Sequence, residues 1–275
     1  PVVYANGAVD LKLRRMEFEE EDAYYESMAA LESRYQFQDP TYGFIGRDLD
    51  ILKIEKALFR HNVLLLRGMG GTGKTTLLRY LWQWWLTTHF VQDAFYFGYD
   101  DKAYTVEQLV HEIGKQVYGC RDQALFQAMK PEVQAAKLAK KLCEEKYVLI
   151  LDNLESVTGQ PLAIQNTLPD AEQQKLWRFL TKLVGGKTKV ILGSRAGEEW
   201  LASVFTKENT ANIHQLGGLD PESRSQLAEK VLAAQVKDPE NIAALRTDDG
   251  FKRLMQLLAG YPLAMEVVLG NLAGQ

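Results

Sequence analysis

Residues 68–75 read Gly-Met-Gly-Gly-Thr-Gly-Lys-Thr and follow directly on the apolar run Asn62-Val63-Leu64-Leu65-Leu66-Arg67. A phosphate-binding loop needs these residue types in this order. Small glycines let successive backbone N–H groups turn toward a di- or triphosphate, and the N-terminus of the next helix adds the positive end of its dipole. Lys74 supplies a mobile cation for the β and γ phosphates, and Thr75 a hydroxyl of the kind such loops place on Mg²⁺. The expected nucleotide-binding set here is Gly70, Gly71, Thr72, Gly73, Lys74, Thr75 and Thr76.

Such a loop needs an acidic element to hold Mg²⁺ from the side opposite the threonine. Leu149-Ile150-Leu151-Asp152 ends an apolar run on an acid, so Asp152 is expected to share the metal with Thr75. Many related ATPases carry a second acid at the next position to orient the attacking water; here it is Asn153, which cannot accept a proton. Hydrolysis is therefore expected to be slow. Glu155 is the candidate substitute, either approaching the γ-phosphate through the following loop or lying solvated. Gly193-Ser194-Arg195 ends another apolar run. It puts Arg195 where a γ-phosphate sensor would lie, since ligands of open parallel sheets gather at the strands' carboxyl ends; a surface arginine closing a strand is the other reading. A guanidinium binds phosphate bidentately and stays charged. The expected catalytic set is Lys74, Asp152, Glu155 and Arg195.

Positioning these groups requires a sheet. Short apolar runs ending at Leu66 and spanning 94–97, 147–151, 189–192 and 212–216 read as strands. Between them, helical spacing predicts helices over about 48–60, with Asp48 as cap, and over 75–89, 105–118, 131–145 and 171–184. That alternation predicts an α/β fold, a parallel P-loop NTPase sheet flanked by helices. After Leu219 the pattern is helical, with turns near Pro221, Asp248-Asp249-Gly250 and Gly260, and predicts a small all-α domain of about four helices. At the other end, Pro1-Val2-Val3-Tyr4 reads as extended. Met16, Tyr24, Met28, Leu31 and Tyr35 predict an amphipathic helix that Gln38-Asp39-Pro40 ends. The expected domains are a linker and helix over 1–40, a nucleotide-binding domain over 41–219 and a helical domain over 220–275.

Composition bounds the alternatives. The 275 residues are 46% hydrophobic and 25% charged with a formal net charge of −4, which gives no whole-chain attraction to polyanions. Cys120 and Cys143 lack metal or redox spacing, and the histidines are scattered, which suits a reducing, cytoplasmic setting. No run reaches membrane-spanning length, and no signal-peptide layout opens the chain. Trp82, Trp84, Trp85 and Tyr80 are not interleaved with enough basic residues for a nucleic-acid platform, so core packing is expected.

Phe44-Ile45-Gly46-Arg47-Asp48, the loop at 68–75, Asp152-Asn153, Ser194-Arg195 and Gly260-Tyr261-Pro262-Leu263-Ala264, in this order, resemble the STAND ATPases and most closely their NB-ARC branch. The resemblance covers roughly residues 40–275. It implies that Phe44 and Ile45 flank the adenine with backbone contacts, that Arg47 interacts with the nucleotide and that Pro262 packs on the base. It implies ATP or ADP with Mg²⁺ as cofactors, ADP holding a closed resting state, and ATP driving opening and self-association. A winged-helix domain, a repeat sensor and an effector domain would lie outside this chain, which reads as a fragment of something longer. Pro1-Val2-Val3-Tyr4 is similar to the last strand of caspase-like CHAT domains. Asp48 stands where that family usually has Glu, and Asn153 replaces the second acid common in its plant members. The alternatives are an AAA+-like motor or loader acting on DNA, which would need a basic surface and usually an acid at 153, and a small-molecule kinase, which would need an acceptor pocket and lid.

Overall fold

In a computed structural model the structure describes residues 2–5, 8–11, 40–160, 163–196, 198–235 and 248–272. The chain divides into two compact units, Pro1–Asp39 and Pro40–Gln275. In the first, β1 (Val2–Ala5) and β2 (Ala8–Leu11) form an antiparallel hairpin with Val2 opposite Leu11. The amphipathic helix expected over residues 16–35 lies outside the described residues.

The second unit opens on α1 (Asp48–Arg60), whose Ile54 and Leu58 are buried and whose acidic first turn and basic last turn suit the helix dipole. Asp48 is not its cap, contrary to expectation. Arg47 holds that position in the left-handed region at φ 77°, with no side-chain cap hydrogen bond.

Five parallel strands follow: β3 (Val63–Arg67), β4 (Asp93–Gly98), β5 (Tyr147–Asp152), β6 (Lys189–Ser194) and, after the small antiparallel hairpin β7 (Thr206–Lys207) and β8 (Thr210–Ala211), β9 (Ile213–Gln215). Their spatial order is β4-β5-β6-β3-β9. Residues alternate between the two faces, and in β3, β4, β5 and β6 both faces are buried, which is why these four read as apolar runs, whereas the edge strand β9 is largely exposed. Leu64, Leu65 and Leu66 are fully buried, each contributing about 1.5–3 kcal/mol relative to exposure. Val63, Leu65, Phe95, Phe97, Leu149, Leu151, Val190 and Leu192 share one core. Over it lie α3 (Val106–Val117), α4 (Cys120–Gln127), α5 (Pro131–Glu144), α6 (Asp170–Leu183) and α7 (Ala202–Phe205). On the sheet's far side α1 meets β3, while α2 (Lys74–Thr87) meets β4, β5 and β6. Trp82 and Trp85 are core, as expected, whereas Trp84 is exposed.

Three helices are described beyond Leu219: α8 (Pro221–Gln235), α9 (Asp249–Leu257) and α10 (Pro262–Leu272). Asp220 accepts from the backbone N–H groups of Glu222 and Ser223 at 3.0 and 3.1 Å and caps α8, with Pro221 in the first turn. Leu227, Val231, Leu232, Met265 and Leu269 form the core of these helices, and Ile45 from the segment before α1 is buried among them.

Candidate functional site

The sheet order puts the switch point beside β3, since the chain leaves β3 for the distant β4 and returns through β5 and β6 before crossing to β9. The phosphate-type loop, Asp152 and Arg195 all emerge there, at the strands' carboxyl ends. Leu151 lies opposite Leu192, so the next pair across the sheet is Asp152 and Gly193. A Cβ at Gly193 would overlap the Asp152 carboxylate and come within 3.0 Å of Leu78 Cδ1, so glycine there makes room for the acid.

Asp152 is fully buried and well satisfied. Its Oδ2 accepts from Thr75 Oγ1 at 2.7 Å and from the Tyr96 hydroxyl at 2.9 Å, while Oδ1 accepts from the Asn153 backbone N–H at 2.9 Å. Burial pushes its carboxyl above the usual range, against the pull of these donors and of Lys74. Burial and the neighbouring Asp152 push the Tyr96 phenol up. Lys74 is 5% exposed and donates to the carbonyls of Gly68 at 2.7 Å and Met69 at 3.3 Å. Burial holds its ammonium below the usual range even though Glu155 and Asp152 oppose the shift. No group of three or more His, Cys, Asp or Glu side chains capable of holding a metal occurs among the described residues. The pair of a hydroxyl and a hard carboxylate 2.7 Å apart fits Mg²⁺, which takes its other ligands from water and phosphate. Thr75 and Asp152 would hold such an ion, which neutralises polyphosphate charge when bound.

Glu155 is not solvated. Asn153, left-handed at φ 57°, starts a 3₁₀ turn over Leu154–Ser156 that carries Glu155 to 2% exposure. Both of its oxygens go to Arg195: Oε1 lies 2.9 Å from Nε, and Oε2 accepts the backbone N–H at 3.1 Å. The Arg195 guanidinium lies over the loop, since a Cβ at Gly70 would stand 3.4 Å from its Cζ. Beyond it, buried Glu198 accepts from Arg67 Nε at 2.5 Å and Ser194 Oγ at 3.1 Å, which ties down the chain after β6. In this geometry the Glu155 carboxylate orients Arg195, and Arg195 faces the loop.

α10 closes the loop from above. Leu263 N–H donates to the Gly71 carbonyl at 3.3 Å. Gly71 has φ 77°, and a Cβ there would stand 2.9 Å from Leu263 Cβ. The resulting cleft, about 270 Å³, is lined by the loop residues Gly70, Gly71 and Gly73 to Thr76 together with Asn153, Arg195, Pro262, Leu263 and Glu266. A smaller recess of about 70 Å³ adjoins it, between Phe44, Ile45 and Arg47 on one side and Leu219, Leu227 and Pro262 on the other. The two share Gly73, Thr76, Pro262 and Glu266. Phe44 stacks on Tyr80 with ring centroids 3.8 Å apart.

Arg47 lines the recess, but its donors are turned onto the protein. Nη2 reaches the carbonyls of Thr72 at 2.7 Å and Gly217 at 2.9 Å, and Nη1 reaches Asp50 at 3.1 Å. Asp50 also meets His214 Nε2 at 2.8 Å; burial raises its carboxyl, but His214 and Arg47 outweigh this and hold it below the usual range. A non-glycine residue at φ 77° costs of order 1–3 kcal/mol unless its surroundings hold it, and these contacts tie the loop to the chain leaving β9.

The NB-ARC domain family matches residues 47–184. The chain belongs to the NB-ARC family. Among solved structures, this NB-ARC chain is similar to the Walker-type ATPase PABY2304 of Pyrococcus abyssi, at 15% identity and TM-score 0.52 over 85% of this chain and 69% of that one. It is also similar to the ORC1 protein of Aeropyrum pernix, solved in complex with DNA, at 16% identity and TM-score 0.50 over 84% of this chain and 61% of that one. At these identities the likeness shows a shared P-loop ATPase fold, and the chain spans only part of either protein. No curated protein sequence matches the chain. Family and fold together make this a nucleotide-binding module of the P-loop ATPase class. No helix among the described residues is long and apolar enough to cross a membrane.

Most of the residues singled out in the sequence line two joined recesses, while Asp152 and Glu155 are buried behind them, bonded to Thr75 and Arg195. Tyr96, Gly193 and Glu266 were missed. No local signal marks Tyr96, whereas Glu266 lies one helical turn beyond Pro262 and that spacing could have flagged it.

With Asn153 beside the cleft and Glu155 committed to Arg195, ATP turnover by this chain is expected to be slow, on the order of 10⁻² s⁻¹ or less. In a phosphate-release assay Asn153→Asp is expected to raise it and Glu155→Gln to lower it by loosening Arg195. Rapid multiple turnover by the parent, or no change in Glu155→Gln, would contradict this account.

Proposed function

We propose that this NB-ARC module is a regulatory switch: ADP holds the sheet domain (41–219) and the helical domain (220–275) closed, exchange for ATP opens them, and open modules self-associate, with slow hydrolysis as reset. In this reading the loop residues, Thr75, Asp152 and Arg195 hold the phosphates and Mg²⁺, while Phe44, Ile45 and Pro262 enclose the base. The winged-helix, sensor and effector domains of such proteins would be its partners within a longer cytoplasmic chain. Nucleic acid is not among the proposed partners.

The observation that carries the proposal is the seating of α10 on the phosphate-type loop. Pro262 and Glu266 border both recesses, and Leu263 hydrogen-bonds to Gly71. A ligand bridging both domains stabilises their closed arrangement by its differential affinity for it. At a hundred times its Kd, that linkage is worth about 2.7 kcal/mol, or roughly 5–10 °C in melting temperature for a chain of this size. Added ADP with Mg²⁺ is thus expected to raise the melting temperature and to slow amide exchange in residues 255–270 as well as 68–76. Pro262→Asp is expected to lower ADP affinity while leaving the sheet folded. Slowed exchange confined to 68–76, with normal ADP binding by the variant, would remove the helical domain from the site.

A further inference from the structure

Glu266 is the one acid shared by the two recesses, and the switch reading gives it no task. It is half-buried on α10, and among the described residues its carboxylate makes no hydrogen bond or ion pair. Its place is set by the contacts that seat the start of α10. A Cβ at Gly73 would stand 3.9 Å from Pro262 Cγ, and Leu263 is held on Gly71. Glu266 follows Pro262 by four positions, so the two lie on one face of the helix, about 6 Å apart along its axis.

An unpartnered carboxylate beside a polyphosphate site is unfavourable on electrostatic grounds alone, because like charges a few ångströms apart repel. Its position along the cleft removes the difficulty. The phosphate end is marked by Lys74 and Arg195, and the base end is mostly apolar, with Phe44, Ile45, Leu219 and Leu227. Glu266 stands at the seam with Gly73, Thr76 and Pro262, where a bound nucleoside diphosphate would have its sugar. There the ligand's donors are the 2′ and 3′ hydroxyls, and a carboxylate is an acceptor for both. Burial pushes the Glu266 carboxyl up.

We infer that Glu266 binds the ribose hydroxyls and makes this site selective for ribonucleotides over deoxyribonucleotides. The inference rests on the proposed placement of the nucleotide between the two domains. A hydrogen bond to a charged acceptor in a partly desolvated site discriminates by about tenfold or more.

The test is calorimetry with ADP, 2′-deoxy-ADP and 3′-deoxy-ADP in the presence of Mg²⁺. The parent is expected to bind ADP about tenfold more tightly than either deoxy analogue. Glu266→Ala is expected to bind all three within about twofold, through weaker ADP binding, and Glu266→Gln to keep a reduced preference through its amide carbonyl. Equal binding of the three ligands by the parent would overturn the inference and leave the switch reading standing. An unchanged preference in Glu266→Ala would do the same, as would tighter binding of all three by Glu266→Gln, which would place the carboxylate against the phosphates. Absence of ADP binding by the parent would overturn both.

Discussion

Replacing Lys74 with alanine is expected to weaken ATP and ADP binding about a hundredfold or more. The Lys74 ammonium is buried inside the loop, where it donates to the Gly68 and Met69 carbonyls at 2.7 and 3.3 Å. A bound polyphosphate would replace those neutral acceptors with anionic oxygens. Each hydrogen bond to a charged group contributes about 1.5–3 kcal/mol, so losing two exceeds the roughly 2.7 kcal/mol that a hundredfold represents. The empty fold should tolerate the change, because the lost ammonium already bears a burial penalty and Glu155 keeps Arg195 as a partner. Calorimetry on the variant, with a melting curve to confirm folding, is the measurement; ATP affinity equal to the parent's would refute the assignment of Lys74 to the phosphates.

What the sequence made legible was the part governed by periodicity and by residue type. All five parallel strands fall close to where the sequence runs put them, four of them because strands buried on both faces must be apolar throughout; β9, an exposed edge strand, is not one of these. The loop, Asp152 and Arg195 were legible because each closes such a run. Contacts between distant segments were not. Asp48 looked like a cap, yet the chain enters α1 through a left-handed Arg47 whose guanidinium bonds to Thr72 and Gly217, residues far along the sequence. Glu155 looked as if it could be solvated because nothing local shows that a 3₁₀ turn carries it back onto Arg195. α4 was not expected at all. Its eight residues have little amphipathic pattern, and Phe126, the one buried side chain among those described, packs on Tyr118 at 4.5 Å between ring centroids.

Asp152→Asn is expected to stabilise the empty protein while disabling its chemistry. The carboxylate is fully buried and its pKa is raised above 3.8 by burial. An acid with a raised folded pKa holds its proton more tightly in the native than in the unfolded state. Its contribution to stability is therefore full below the unfolded value and is lost as pH rises through the folded one. Asparagine removes that loss and can keep the local hydrogen bonds. Its carbonyl can accept from the Asn153 N–H, and its amide can donate to the Thr75 and Tyr96 hydroxyls, which are acceptors as well as donors. The variant without nucleotide should thus melt near the parent below about pH 4 and above it at neutral pH, by about 2–4 °C for each kcal/mol regained. With Mg²⁺ and nucleotide the order should reverse, because Asp152 is the only carboxylate bonded to Thr75 among the described residues and an amide neutralises no cation. Phosphate release should fall about a hundredfold, the scale of losing one electrostatic stabiliser of transferring charge. Melting curves against pH, with and without Mg²⁺ and ADP, separate the two effects. A variant that melts below the parent at every pH would mean that Asp152 holds the sheet together, and the division of labour between Asp152 and the fold proposed here would be wrong.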